Sequence, residues 1–316
     1  MIIDCIKMSG KRLQFVVGKG GVGKSAVTAA LAIVSCAPDE RVLAVELGRA
    51  RGLSRLFGCE DRVGERPVEA RPGLFVAAVD GESALAEYLS LVVPIRRLLK
   101  TVLATRLYST FVAAAPGLKE LMTVGKIWYE NQQLDSSGGA AWDTIVVDAG
   151  ASGHSLQYLQ MPQAAAATFR SGLVHRESNR VAALLRDTTT TAVHVVATPE
   201  EMPLAEAADI VARLRGELSL PLGSVYVNRC RSVPPAGIEA GIAKLQEADD
   251  GRYARLLTTV RRRLSWTSIQ EEGIAALERR IGQSSVRLPD LVAVEFGVEE
   301  LERLAQSVRM SVENPS

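Results

Sequence analysis

Gly18-Lys19-Gly20-Gly21-Val22-Gly23-Lys24-Ser25 sets four glycines, two lysines and a serine within eight residues. The spacing fits G-x-x-x-x-G-K-[ST], the phosphate loop. Glycines let successive backbone N–H groups curl around phosphate oxygens with no Cβ in the way. A helix opening at Ala26 adds unpaired N–H donors and partial positive charge. Within this cradle, Gly18 through Ala26, Lys24 suits neutralisation of β/γ-phosphates and the Ser25 hydroxyl suits Mg²⁺. ATP and Mg²⁺ are therefore the expected ligands. Lys19 is not required by turn geometry. It is either an exposed surface lysine or a second lysine that meets phosphate, including phosphate held by a partner subunit.

Two more polar residues end apolar runs. Asp148 closes Asp143–Asp148 (DTIVVD) and gives the strand-end carboxylate that Mg²⁺ chemistry needs beside a phosphate loop. Asn228 closes Ser224–Asn228 (SVYVN). Its amide can pair with adenine's N6/N1 face, and asparagine is equally a common turn former.

The elements that position these residues read as a parallel sheet covered on both faces. Strands are expected at Leu13–Val17, Arg41–Glu46, Gly73–Val79, Asp143–Asp148, Val193–Thr198 and Ser224–Asn228. Helices are expected at Ala26–Ser35, Pro199–Leu218, through most of Ala240–Leu277, and at Val298–Val308. Between Gly81 and Leu134 no strand pattern appears. Leu85–Leu103 and Leu118–Trp128 carry apolar residues at helical spacing, punctuated by Pro94 and Pro116-Gly117. This segment is too long for an ordinary βαβ loop. Asp135–Gly139 (DSSGG) is linker-like. The expected fold is α/β, a mostly parallel doubly wound sheet of the P-loop NTPase type with an inserted helical subdomain. Its core takes 12–80 and 141–310, the insertion takes 81–140, and 1–11 and 311–316 are tails.

G-K-G-G-V-G-K-S resembles the deviant P-loop of a family that includes division-site and plasmid-partition ATPases, nitrogenase iron protein, the arsenite-pump ATPase ArsA and the tail-anchored-protein targeting ATPases. The resemblance implies that Lys19 crosses a dimer interface to the opposite nucleotide. Asp148-Ala149-Gly150-Ala151-Ser152-Gly153-His154-Ser155-Leu156, followed by Met161-Pro162, narrows the choice. It resembles D-T-A-P-T-G-H-T-L-R-x-L-x-x-P, switch II of the ArsA and tail-anchored-targeting branch. Asp148 then holds Mg²⁺ through water, and Gly153 and His154 match the Gly-His pair. His154 is either a hydrogen-bonded structural histidine or a catalytic one. Gly150-Ala151 replaces the family's Ala-Pro. Val227-Asn228-Arg229 resembles the segment whose asparagine binds the adenine amino group. Pro116 through Glu120 resembles the P-G-x-x-E of the helical subdomain. Leu288-Pro289 through Gly297–Leu301 resembles the C-terminal block. The chain thus resembles this ArsA-like family, bacterial type, over nearly its whole length.

Switch I departs from the pattern. The family reads S-T-D-P-A-H-x-L-S-x-x-F-G, and its aspartate positions the attacking water. Aligning Glu46 through Gly58 on L-S-x-x-F-G puts Gly48 at that place. Glycine can neither orient water nor take a proton. Glu46 lies two residues upstream on the same strand face and reaches the position only with a backbone shift. Lys19, Lys24, Glu46 and Asp148 are the candidate catalytic residues. Nucleotide binding is better supported than hydrolysis. The zinc-clasp C-x-x-C is absent, so no structural zinc is expected. Leu98, Leu99, Val102, Leu118, Leu121, Met122 and Val124 are expected as subdomain core rather than a client surface.

Composition bounds the rest. The chain has 316 residues, 47% hydrophobic and 23% charged, which excludes a disordered or coiled-coil class. A net charge of +1 gives no whole-chain case for nucleic acid. No apolar run spans a bilayer and Met1–Lys11 does not read as a signal peptide, so a cytoplasmic protein is expected. Cys5, Cys36, Cys59 and Cys230 are too scattered for a disulfide framework or a zinc site. The expectation is a dimeric Mg-ATP switch ATPase, either a homodimer or a heterodimer with a paralogous ATPase. The alternative is a catalytically weak nucleotide-binding subunit paired with an active paralogue. Neither reading names a client or membrane partner.

Overall fold

The computed structural model describes residues 11–48, 51–64, 66–92, 117–150, 155–235, 237–247, 252–293 and 296–313. Leu13–Gly18 forms β1, buried at every position. The glycine loop leads into α1 (Lys24–Ser35), then β2 (Val42–Leu47) and the single-turn α2 (Gly52–Leu56). Next come β3 (Val68–Arg71), β4 (Leu74–Val79), α3 (Gly81–Val92) and α4 (Leu118–Gln132). β5 (Thr144–Asp148) precedes α5 (Ser155–Thr168), α6 (Gly172–Arg186) and β6 (Thr191–Ala197). α7 (Glu201–Arg213), β7 (Leu222–Cys230), α8 (Ile238–Glu247) and α9 (Ala254–Ile281) follow. β8 (Val286–Pro289) and α10 (Val298–Glu313) complete the described chain.

The strands form one sheet in the order β3-β4-β2-β5-β1-β6-β7-β8. Only the β3–β4 pair is antiparallel. β1 lies between β5 and β6: β2, which follows it in the chain, is on the β5 side, and the later strands β6, β7 and β8 are on the other. The carboxyl end of β1 is therefore the topological switch point, where open α/β sheets receive ligands.

Alternate residues of each strand face opposite helical layers. Phe15, Val17, Val45, Val147 and Val195 join one core with residues of α4, α5, α6, α7 and α9. Val16, Ala44, Val146, Val196 and Tyr226 join the other with α1 and α10. Each fully buried Val or Leu side chain contributes about 1.5–3 kcal/mol. The same alternation sorts the polar residues. Glu46, Asp148 and Asn228 share the parity of the second set, which brings all three to the α1 face.

The α/β doubly wound expectation holds, and the six expected strands are present with ends shifted by one or two residues. β3 and β8 were not expected. Each has four residues, too short to show a period. Asp135–Gly139 is not a linker: Asp135 Oδ1 accepts from the N–H groups of Ser137 and Gly139 at 2.8 and 2.9 Å, closing a turn beneath the Leu134–Ala140 bridge. The expected Pro199–Leu218 helix begins at Glu201 and widens into a π-turn over Leu214–Leu218. Leu121 and Val124 are buried core as expected, with Leu118 and Met122 half-buried. Leu98, Leu99, Val102, Gly153 and His154 lie outside the described residues. Cys36, Cys59 and Cys230 are free thiols. Among the described residues, no helix is long and apolar enough to cross a membrane.

Candidate functional site

The site grows from the end of β1. Gly23 sits at the N-cap of α1 with φ +90°, and a Cβ there would come 2.3 Å from Asn228 Nδ2. Only glycine allows that approach. It lets Asn228, at the end of β7, donate to the Val22 carbonyl at 2.9 Å and hold the loop from behind. Asn228 Oδ1 still has acceptor capacity for an adenine amino group.

Lys24 is buried, and its ammonium donates to the Lys19 carbonyl at 2.7 Å. Burial pushes its pKa down, against a smaller opposing pull from Asp148. Ser25 Oγ donates to Asp148 Oδ2 at 2.5 Å. Asp148 is almost wholly buried. Burial raises its pKa, while Ser25, the Gly150 N–H and Lys24 pull it down. A hydroxyl and a buried carboxylate at a helix N-terminus offer two hard oxygens, and a cation there would relieve the desolvated charge. These residues fit Mg²⁺, which commonly takes one or two protein oxygens and completes its shell with phosphate and water.

Glu46 lies level with Asp148 across the β2–β5 ladder. Its Oε1 accepts from the Leu53 N–H at 3.1 Å, and its Oε2 accepts from the Ser54 hydroxyl at 3.3 Å. Burial raises its pKa, and these α2 donors oppose the rise. The carboxylate thus satisfies the open N-terminus of α2. The backbone shift that would bring it to Gly48 must first release α2. Gly48 itself has φ +85°, and among the described residues a Cβ built on it meets the Tyr158 hydroxyl alone, 3.9 Å away. A Cβ on Gly52 would lie 2.9 Å from Ser25 Oγ, so the start of α2 rests on the phosphate loop.

Lys19 points away from its own loop. Its ammonium pairs with Glu206 of α7 at 2.6 Å and lies 2.9 Å from the Met202 sulfur. The structure brings Lys24, Ser25, Asp148, Glu46 and Asn228 to one end of the sheet and holds Lys19 on a neighbouring helix. Sequence reasoning missed Glu206, Gly52 and Tyr158. The pairing of Lys19 with Glu206 spans 187 positions, and no local pattern marks it. A separate cavity of about 800 Å³ opens between α7 and α9, lined by Leu204, Arg229, Trp266 and Gln270 among others, and no residue from Gly18 to Ala26 lines it.

Comparison with known proteins agrees with this geometry. The family model for anion-transporting ATPases matches residues 11–177. ATPase BagA of Mycobacterium tuberculosis is 32% identical over 262 residues, covering 80% of this chain and 75% of that protein. The arsenical pump-driving ATPase of Acidiphilium multivorum is 30% identical over 158 residues, 48% of this chain and 25% of its own length. ATPase GET3 of Kluyveromyces lactis is 26% identical over 163 residues, 50% of this chain and 47% of that protein.

Proposed function

The chain belongs to the anion-transporting ATPase family and is an ATP-binding P-loop ATPase; from that premise we propose a Mg-ATP-dependent switch that acts as a dimer in the cytoplasm. Its partner is a second copy or a paralogous ATPase. The nucleotide state passes to the helices of the 81–140 insertion, carried on the 12–80 and 141–310 core.

The observation that carries this reading is Lys24. A buried ammonium resting on a backbone carbonyl is a cation in need of an anion. Lys24, the α1 N-terminus and the loop N–H groups of Gly18 through Ala26 would take the β- and γ-phosphates. Ser25 and Asp148 would hold Mg²⁺, the hydroxyl as a direct oxygen donor and the carboxylate by way of water. When bound, Mg²⁺ would supply polarisation of phosphoryl oxygens and neutralisation of developing charge. Asn228 fixes the loop through Val22 and accepts from the adenine amino group through Oδ1. Glu46 holds switch I by its bonds to α2 and reaches water only when α2 is released. Lys19 leaves Glu206 on dimerisation and meets the partner's nucleotide.

Gly48 favours one second reading, the catalytically weak subunit, because it presents no side chain to the attacking water. Lys24→Ala tests the site itself. A fluorescent ATP analogue should show no saturable binding to that variant while wild type binds. Near-normal affinity in Lys24→Ala would remove this loop as the site.

A further inference from the structure

We propose that the Tyr158 hydroxyl orients the attacking water on the switch I side, where Gly48 contributes no side chain. The inference rests on the ATPase reading above and names a residue for it. Gly48 follows β2 two positions beyond Glu46, which is level with Asp148 in the adjoining strand. It therefore stands at the carboxyl edge of the sheet beside the Ser25–Asp148 pair. Its N–H is spent on the Val79 carbonyl at 2.9 Å. Among the described residues, its open side faces one heavy atom within 4 Å of an added Cβ, the Tyr158 oxygen at 3.9 Å.

A carboxylate at this position would carry its oxygens about 2.4 Å past the Cβ. The phenol oxygen is within hydrogen-bond reach of the volume those oxygens would serve. It is a polar group supplied by a different element to the same place. The half-buried Tyr158 ring packs against the apolar core on the α5 face of the sheet, which fixes its direction. Its hydroxyl makes no hydrogen bond to another described residue. Burial, then the fields of Glu120 and Asp80, push the phenol's pKa up. It stays protonated at neutral pH and acts as a hydrogen-bonding group, not as a base.

In the step, the water oxygen bonds to the γ-phosphorus and the bond to the β–γ bridging oxygen breaks. The water's proton passes to the released phosphate. Tyr158 exchanges no proton and supplies orientation alone. Its place on α5, directly after the switch II loop, makes turnover depend on how α5 is seated. The charges of Glu120 on α4 and of Asp80, just before α3, act on the same hydroxyl, which ties this group to the helices of the proposed insertion.

The test uses the full chain with ATP and Mg²⁺. Tyr158→Phe keeps the ring and removes only the hydroxyl. Turnover should fall by about 10-fold or more, toward the lower range of an orienting polar group. Affinity for a fluorescent ATP analogue and the melting temperature should stay unchanged. Gly48→Asp placed on Tyr158→Phe should recover part of the lost turnover, which a purely structural tyrosine would not allow. Turnover of Tyr158→Phe within twofold of wild type overturns the inference and leaves the ATPase reading intact. Wild type that binds ATP and hydrolyses none also overturns it. Wild type that binds no ATP removes the ATPase reading beneath it.

Discussion

Asn228 shows how one side chain serves two tasks. Its Nδ2 holds the Val22 carbonyl, and its Oδ1 remains as an acceptor. Asn228→Asp exchanges the donor for a second acceptor and sets a carboxylate against that carbonyl. A lost buried hydrogen bond with an unsatisfied group costs about 1–3 kcal/mol. ATP affinity should fall about 10-fold or more by titration with a fluorescent analogue, and unchanged affinity would show that the loop stands without this bond. The residues legible in the sequence are those whose chemistry is set by local spacing. Lys24 and Ser25 belong to a contiguous pattern, and Asp148 ends an apolar strand. Glu46 was visible as a carboxylate, but its engagement with Leu53 and Ser54 depends on α2, a five-residue helix with no readable period. No local pattern in the sequence marks Tyr158. Its meaning comes from Gly48, which is far from it in sequence and close in space.

At the scale of elements, the period-two alternation of the strands was readable and does most of the positioning. It places Glu46, Asp148 and Asn228 on the α1 face and leaves the opposite face to apolar packing. β3 and β8 were not readable, because edge strands of four residues carry neither alternation nor a long apolar run. The same alternation buries a polar chain across three strands. His194 in β6 accepts from the Ser224 N–H of β7 through Nδ1 at 3.0 Å. Its Nε2–H therefore faces Gln14 Oε1 of β1 at 3.1 Å. Burial lowers the His194 pKa to about 4 from 6.5. The native state holds it neutral, whereas the unfolded chain protonates it below about 6.5. Its contribution is complete above that pH and is lost as pH falls through the window to about 4. The loss across the window is at most about 3 kcal/mol. Denaturation midpoints taken from pH 7 to pH 4 should fall in wild type and fall less steeply in His194→Asn, whose Oδ1 can take the Ser224 N–H. Parallel profiles for the two proteins would mean that His194 does not govern this pH dependence.

For the whole molecule, α2 and Gly150, described parts of the two switch segments, come together at one end of the sheet. The start of α2 rests on Ser25, and the Gly150 position of switch II lies against the Leu47 carbonyl of β2. α5 packs against α4, the route by which the proposed switch would carry a change at Asp148 to the helices of the insertion. Lys19 is the one candidate held out of this assembly. Its pair with Glu206 is partly exposed, and exposed pairs contribute only about 0–1 kcal/mol, so it is readily exchanged for a phosphate. ATP-driven association in which Lys19 serves the partner's nucleotide can be read by sedimentation. The full chain is compared with Lys19→Ala, each with Mg²⁺, with and without a non-hydrolysed ATP analogue. Wild type should move to a two-chain species only when the analogue is present, while Lys19→Ala should bind the analogue and remain a single chain. Identical association of the two proteins with the analogue, or a wild type indifferent to it, would rule out a role for Lys19 at the partner's nucleotide.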